Sequence, residues 1–400
     1  MFYRTLLALS FGIFAGIFTG LAPGIHVNLI SLIVVGASQK LLRFFGLMDL
    51  CIFIVSMSIT HVFLDSLPSI FLGAPEAETA LGVLPGHRFL LRGNGYRAVQ
   101  LTILGAFLSL VMSIALFPAM IVVIKFIYNW TSQYTGYLLM AIILFMIVRD
   151  NNKIWSIIVA TLASALGLVV FSMPTLEDPL FPMLGGLFGI STLIMSLNEN
   201  QALPAQQINS EIDVKLGIGI RSILSGFFSG FLTAFLPGLG ASTAAVLAIQ
   251  IAGKIGDIGF MLLMGAINMA NFVVSIGTLY AIDKARNGTI AAIAEIAGSL
   301  EIIDIALLLC AAIVVGGMAT WIACKVGKAF TSWIQKVNYR KLVVSVIAIL
   351  TFLTFCFTDL IGLAVMIVAT CIGMIPAIKK VARTHAMACL TVPVILYYLL

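Results

Sequence analysis

The sequence predicts an all-α polytopic membrane protein of about ten to twelve transmembrane segments, built from two inverted structural repeats with broken or re-entrant helices. Three observations predict it. Of 400 residues, 61% are hydrophobic and only 10% are charged, with a mean hydropathy of +1.15, far more apolar than a domain that must solvate its own surface. Apolar runs approaching the roughly 20 residues that span hydrocarbon fill most of the chain. Finally, residues 12 to 24, GIFAGIFTGLAPG, return 214 positions later as GFFSGFLTAFLPG, residues 226 to 238.

In the first half the apolar runs are 5 to 37, 47 to 64, 98 to 128, 134 to 148, 154 to 173 and 180 to 197. In the second they are 215 to 252, 257 to 281, 289 to 324, 342 to 358, 360 to 378 and 384 to 400. The repeats are therefore expected over residues 1 to 205 and 206 to 400. The first run resembles a secretory signal, with Arg4 ahead of apolar residues, but it continues past any small-residue cleavage site and reads as a mature span. Between the second and third runs, residues 65 to 99 carry three prolines and five glycines, with Glu76 and Glu78 ahead of Arg88, Arg92 and Arg97. That composition suits a re-entrant hairpin leaving through a basic loop better than a continuous span.

Charge and cysteine usage narrow the function. The net charge of +6 is scattered between spans, so it sets topology and does not indicate nucleic acid. Lys325, Lys328, Lys336, Arg340 and Lys341 fill one linker and Lys379, Lys380 and Arg383 another, and both are expected in the cytoplasm, with residues 173 to 179, MPTLEDP, outside. The six cysteines lie in apolar runs without a CxxC pair and read as packing residues.

Aligned at 214 positions, the repeat puts Gly12 on Gly226, Gly16 on Gly230, Pro23 on Pro237 and Gly24 on Gly238. Beyond them six residues drop out, and residues 49 to 66 fall against 257 to 275. Glycines at four-residue spacing read as a helix-packing face. The Pro-Gly pairs break the helix inside hydrocarbon, which is tolerated only where protein or a water-filled cavity covers the freed backbone. Two breaks in corresponding places point to a secondary transporter, whose half-helix N-termini face an anion. The half-helices would open at Ile25-His26-Val27-Asn28 and Leu239-Gly240-Ala241-Ser242-Thr243, each with donors for an oxyanion; a merely kinked helix is the plainer alternative. Asn28, Thr79, Ser242 and Thr243 are expected to hydrogen-bond the ligand, with Arg88 or Arg92 at the cytoplasmic mouth. Asn268 and Asn271, in the stretch 265 to 288 set against 65 to 99, are either interhelical hydrogen-bonding residues or ligand contacts.

The stretches GLAPGIHVNL, SIFLGAPEAETALGVLPGHRFLLRGNGYRAV and GFLTAFLPGLGASTA resemble the large membrane permease of the tripartite tricarboxylate transporter family. The resemblance implies a cation-coupled permease for organic acids such as citrate, located in the cell membrane. It also implies a small membrane subunit and an extracytoplasmic binding protein as partners, and a homodimer is compatible with it. The breaks at Pro23-Gly24 and Pro237-Gly238 are expected to face one another across a central site, with His26, Pro75, Glu76 and Gly240 also expected at the substrate. The chain departs from the family pattern where it reads PGIHVN, with His26 and Asn28, and at Gly73-Ala74-Pro75-Glu76. The alternative is a polyprenyl-phosphate translocase using the same paired anion site. An enzyme is not expected: HExxH, Gly-x-Gly-Asp and GxxxxGK[ST] motifs are absent, and GKIGD at 253 to 257 fits none of them. No cofactor is expected. The coupling ion is Na+, held by unwound carbonyls, or H+, carried by His26, His61 or Asp65.

Overall fold

The computed structural model describes residues 2–22, 27–73, 81, 83–131, 134–174, 176, 179–197, 204–208, 213–235, 241–334 and 339–400. Among these, all regular structure is helical. Eight helices are long and apolar enough to cross a membrane, and four shorter apolar ones accompany them. Large apolar side chains such as Phe14, Phe18 and Phe126 face outward, as lipid contact requires.

The first half runs α1 (Phe2–Leu21), α2 (Val27–Gly36), α3 (Ser38–Leu41), α4 (Leu47–Leu64), a π-helical turn (Pro68–Leu72), α5 (Val83–Leu91), α6 (Gly95–Ala115), α7 (Phe117–Thr131), α8 (Thr135–Arg149), α9 (Lys153–Phe171), α10 (Leu180–Leu184), a second π-helical turn (Gly185–Ile190) and α11 (Ser191–Leu197). The second runs α12 (Leu216–Phe235), α13 (Ala241–Ala252), α14 (Gly256–Ile282), α15 (Gly288–Ala297), α16 (Ile302–Ile334), α17 (Tyr339–Lys379), a 3-10 turn (Arg383–Met387) and α18 (Ala388–Leu399). Several expected runs divide. The run 98 to 128 breaks at Leu116 between α6 and α7, and 289 to 324 splits into α15 and α16. The runs 342 to 358 and 360 to 378 meet at Asp359, where φ of 52° and ψ of −157° turn the chain within α17. Residues 65 to 99 are discontinuous as expected, although a hairpin there depends on residues 74 to 80, outside the described ones.

The glycine repeat becomes a repeated helix pair. A Cβ on Gly12 would stand 2.5 Å from Phe53 O and 2.6 Å from Ser56 Cβ, and one on Gly16 would stand 2.5 Å from Met57 O and 2.6 Å from Thr60 Cβ. In the second half a Cβ on Gly226 would meet Ala266 Cβ at 2.7 Å, and one on Gly230 would meet Ile267 O at 2.5 Å and Ala270 Cβ at 2.7 Å. Only glycine lets the backbones approach this closely. The contacts also correct the register: Ser56, Met57 and Thr60 correspond to Ala266, Ile267 and Ala270, 210 positions on and not 208. Two residues turn a helix by about 200°, so the slip changes which side chains share a face. It also moves the counterpart of residues 65 to 99 to 275 to 309, which shares only 275 to 288 with the 265 to 288 stretch, and α14 fills most of that stretch as continuous helix.

The two halves interlock. α6 runs alongside α14 in the same direction: Arg92 meets Asp257, Ser109 Oγ donates to Ala266 O at 2.8 Å, and Phe117 abuts Gly277. α16 runs against α6, since Gly316 meets Leu110 and Gly327 meets Val99. α16 also follows α4, with Asp304 near Cys51 and Gly316 near Phe63. α4 and α14 therefore run in opposite directions at the centre, where 78% and 89% of their most apolar stretches are buried, against 33% for α16. Further out, Gly167 of α9 packs on the Cys389 carbonyl at the start of α18, and Gly373 of α17 packs on the Leu187 carbonyl in the second π-helical turn.

Both basic linkers lie at one end. Lys328 stacks over Tyr96 at the start of α6, and Lys380 and Arg383 share a cavity with Arg88.

Candidate functional site

α2 and α15 are each 10 residues long, about 15 Å of helix, half the thickness of hydrocarbon. Their N-terminal ends meet between α4 and α14. Asn28 of α2 packs on Gly288 of α15, whose Cβ would come within 2.7 Å of the Asn28 amide carbon. Asn287 caps α15, its Oδ1 accepting from Ile290 N at 2.9 Å and Thr289 Oγ1 at 2.8 Å. A chamber of about 30 Å³ opens there, lined by Val27, Asn28, Ser58, His61, Val62, Asn268, Asn271, Phe272, Asn287 and Thr289. With the corrected register, Ser58, His61 and Val62 correspond to Asn268, Asn271 and Phe272. The same face of each central helix thus supplies one wall. His61 Nδ1 lies 3.2 Å from Thr19 Oγ1, and Asn268 Oδ1 is buried with no hydrogen-bond partner among the described residues. The chamber, as the described residues line it, holds about two waters and is too small for a carboxylate substrate.

The structure brings Asn28, His61, Asn268 and Asn271 together. It does not bring Asp65: this buried residue sits one turn on, its N–H bonded to His61 O at 2.8 Å and its carbonyl accepting from Ser69, and it does not line the chamber. Pro23, Gly24, His26, Pro75, Glu76, Thr79, Pro237, Gly238 and Gly240 lie outside the described residues, as do the side chains of Ser242 and Thr243 in the first turn of α13. Among the described residues, the half-helix that meets α2 is α15 and not α13. Ser58, Asn287 and Thr289 escaped the sequence reading; the 210-position register would have pointed to Ser58 through Asn268.

At the basic end a larger vestibule of about 660 Å³ is lined by Pro85, His87 and Arg88 of α5, Thr192, Phe260, and Lys380, Arg383 and Thr384. Arg88 and Arg92 each reach Asp257 at 3.4 Å. Arg88 faces the vestibule, whereas Arg92 lies outside its lining. Arg383 is half-buried and donates to Thr192 Oγ1; burial presses its pKa below the usual guanidinium value. In α5, outside the eight crossing helices, burial lowers His87 to about 4 against the pull of a backbone hydrogen bond with Ile70, so the ring is neutral at neutral pH. The Arg383 turn is clamped from below. Asp150 Oδ2 accepts from Ala382 N at 3.0 Å and His385 Nε2 at 2.9 Å, and Oδ1 accepts from Asn152 N at 3.1 Å. Burial pushes the Asp150 carboxyl up, but these donors outweigh it and hold the pKa at about 2.

A family model, that of the tripartite tricarboxylate transporter TctA family, matches residues 6–388. The chain belongs to this family. A TctA-family chain is a membrane transport permease and not an enzyme, and this one is accordingly a multi-pass membrane protein. An uncharacterized protein of Methanocaldococcus jannaschii is 29% identical over 412 aligned positions, covering 98% of this chain and 99% of its own length. No solved structure matches this TctA-family chain.

Proposed function

We propose that this chain is a cation-coupled permease for a small organic anion of the tricarboxylate kind, made of two repeats of opposite orientation, residues 1 to 205 and 206 to 400. The observation that carries the reading is the chamber, in which two half-helix N-termini and matching faces of the antiparallel α4 and α14 gather amide, imidazole and hydroxyl groups deep among apolar helices. Polar groups at such depth are costly unless they serve a ligand or each other, and half-helix N-termini favour an anion. Since the chamber is too small for the substrate, transport requires one repeat to rock against the other until it opens to one side at a time.

The end bearing Arg88, Arg97, Lys328, Lys380 and Arg383 faces the cytoplasm in this reading. His61 is the titratable group of the chamber and the candidate proton carrier, with Asp65 one turn away; the alternative is Na+ on backbone and amide oxygens. A small membrane subunit and an extracytoplasmic binding protein are the partners such a permease works with. Belonging to the TctA family favours a carboxylate over the lipid phosphate alternative.

The test is uptake of labelled citrate and succinate into proteoliposomes under an imposed Na+ or pH gradient. Gradient-dependent accumulation of either supports the reading. Absence of uptake and of exchange for every di- and tricarboxylate under both gradients removes it. Coupling to H+ predicts that His61→Gln abolishes the response to a pH gradient; a response that persists in His61→Gln with Asp65→Asn leaves Na+.

A further inference from the structure

Among the described residues, the lining of the vestibule is positively charged. Arg88, Lys380 and Arg383 line one cavity, no carboxylate stands among its described lining residues, and the nearby Asp257 is engaged by Arg88 and Arg92. Lys380 and Arg383 have no acidic partner among the described residues. A half-buried guanidinium bonded to a threonine hydroxyl keeps further N–H donors to offer, and a desolvated cation is stabilised when a counter-charge occupies the space beside it. The turn bearing Arg383 is also built for position, since the Asp150 clamp fixes Ala382 and His385 on either side of it. With His87 neutral and the one carboxylate of Asp257 shared between Arg88 and Arg92, the positive charges of Lys380 and Arg383 have no carboxylate beside them among the described residues.

We infer that the vestibule is a binding site for a soluble dianionic oxyanion, a dicarboxylate or a phosphate monoester, held by Arg383 and Lys380 with Thr192 and Thr384 beside them. It deepens the permease reading, on which it rests for its cytoplasmic placement, and gives the anion a charge-selective station outside the chamber. A cavity lined with one sign of charge also concentrates its ligand by focusing the field.

The experiment is calorimetric titration of the purified full chain in phosphatidylcholine nanodiscs with succinate, inorganic phosphate and acetate. Succinate or phosphate is expected to bind about tenfold or more tightly than acetate, because each charge-assisted contact adds about that factor. Arg383→Gln and Lys380→Gln should each weaken dianion binding about tenfold, and Arg383→Lys should recover part of the loss. Lys325→Gln removes an exposed lysine that stacks on Trp321 at the same end and should change nothing. Lys380 is itself exposed, so its variant tests the site even where Arg383→Gln does not fold. No saturable dianion binding, or an equal loss in Lys325→Gln, overturns the inference. Displacement of succinate in discs containing phosphatidylglycerol assigns the cations to lipid headgroups and overturns it too. Flux separates the two readings. Dianion binding without flux of any carboxylate removes the permease and keeps the site, whereas flux without vestibule binding does the reverse.

Discussion

Asn268 is 5% exposed, and its Oδ1 is left without a donor among the described residues. A group kept only for packing would be satisfied or replaced by an apolar side chain at little cost. Asn268→Leu is therefore expected to leave thermal stability unchanged or higher while transport falls by about tenfold or more; a variant that transports normally would make this amide structural. Asp150 behaves oppositely. Its pKa is depressed from 3.8 to about 2, so its contribution to stability is present above pH 4 and is lost as pH falls from about 4 to 2. Asp150→Asn should lower the unfolding midpoint at neutral pH and flatten the acid limb of the stability profile, read by thermal melts across pH. An unaltered acid limb would show that the clamp adds no stability. Asn268 stood out in the sequence as an amide within an apolar run. Asp150 did not, because its partner His385 is 235 positions away.

At the scale of elements, the two glycine seams act as one design used twice. Gly16 of α1 and Gly230 of α12 meet α4 and α14 through equivalent contacts. Gly16→Val and Gly230→Val should thus destabilise to a similar degree, by about 1–3 kcal/mol, through overpacking against backbone that cannot yield. Unfolding in mixed detergent measures this, and a seam that tolerates valine while the other does not would contradict the equivalence. The seam was legible from four-residue glycine spacing. The register beyond it was not, since both helices are apolar all round and hydropathy carries no phase. The half-helix α15 was likewise invisible inside a longer apolar run, because only its capping residue Asn287 and the turn after Ala297 mark its ends.

For the whole molecule, the contacts define two ends before any membrane is drawn. Arg92, Lys328, Lys380 and the Asp150 clamp lie at one, and Asp304 and the end of α14 at the other. In a cysteine-free background, single cysteines replacing Lys325 or Lys380 should react with a membrane-impermeant maleimide only in inside-out vesicles, and one replacing Lys284 only in right-side-out vesicles. Labelling of Lys380→Cys and Lys284→Cys from the same side would refute the crossing of α14 from one end to the other.

The sequence by itself determined the all-helical membrane class and the glycine seams, because composition and short-range spacing are local properties that bilayer and helix geometry convert directly into structure. Only the tertiary structure decided which helices from each half lie together, that α15 meets α2, and that His61, Asn268 and Asn271 line one chamber, whose lining does not include Asp65. It also decided that Arg88 and Arg383, 295 positions apart, face one vestibule. The physical reason is the same throughout. In hydrocarbon no hydrophobic force selects among apolar faces, so partners are set by close packing and by buried polar groups drawn from distant parts of the chain.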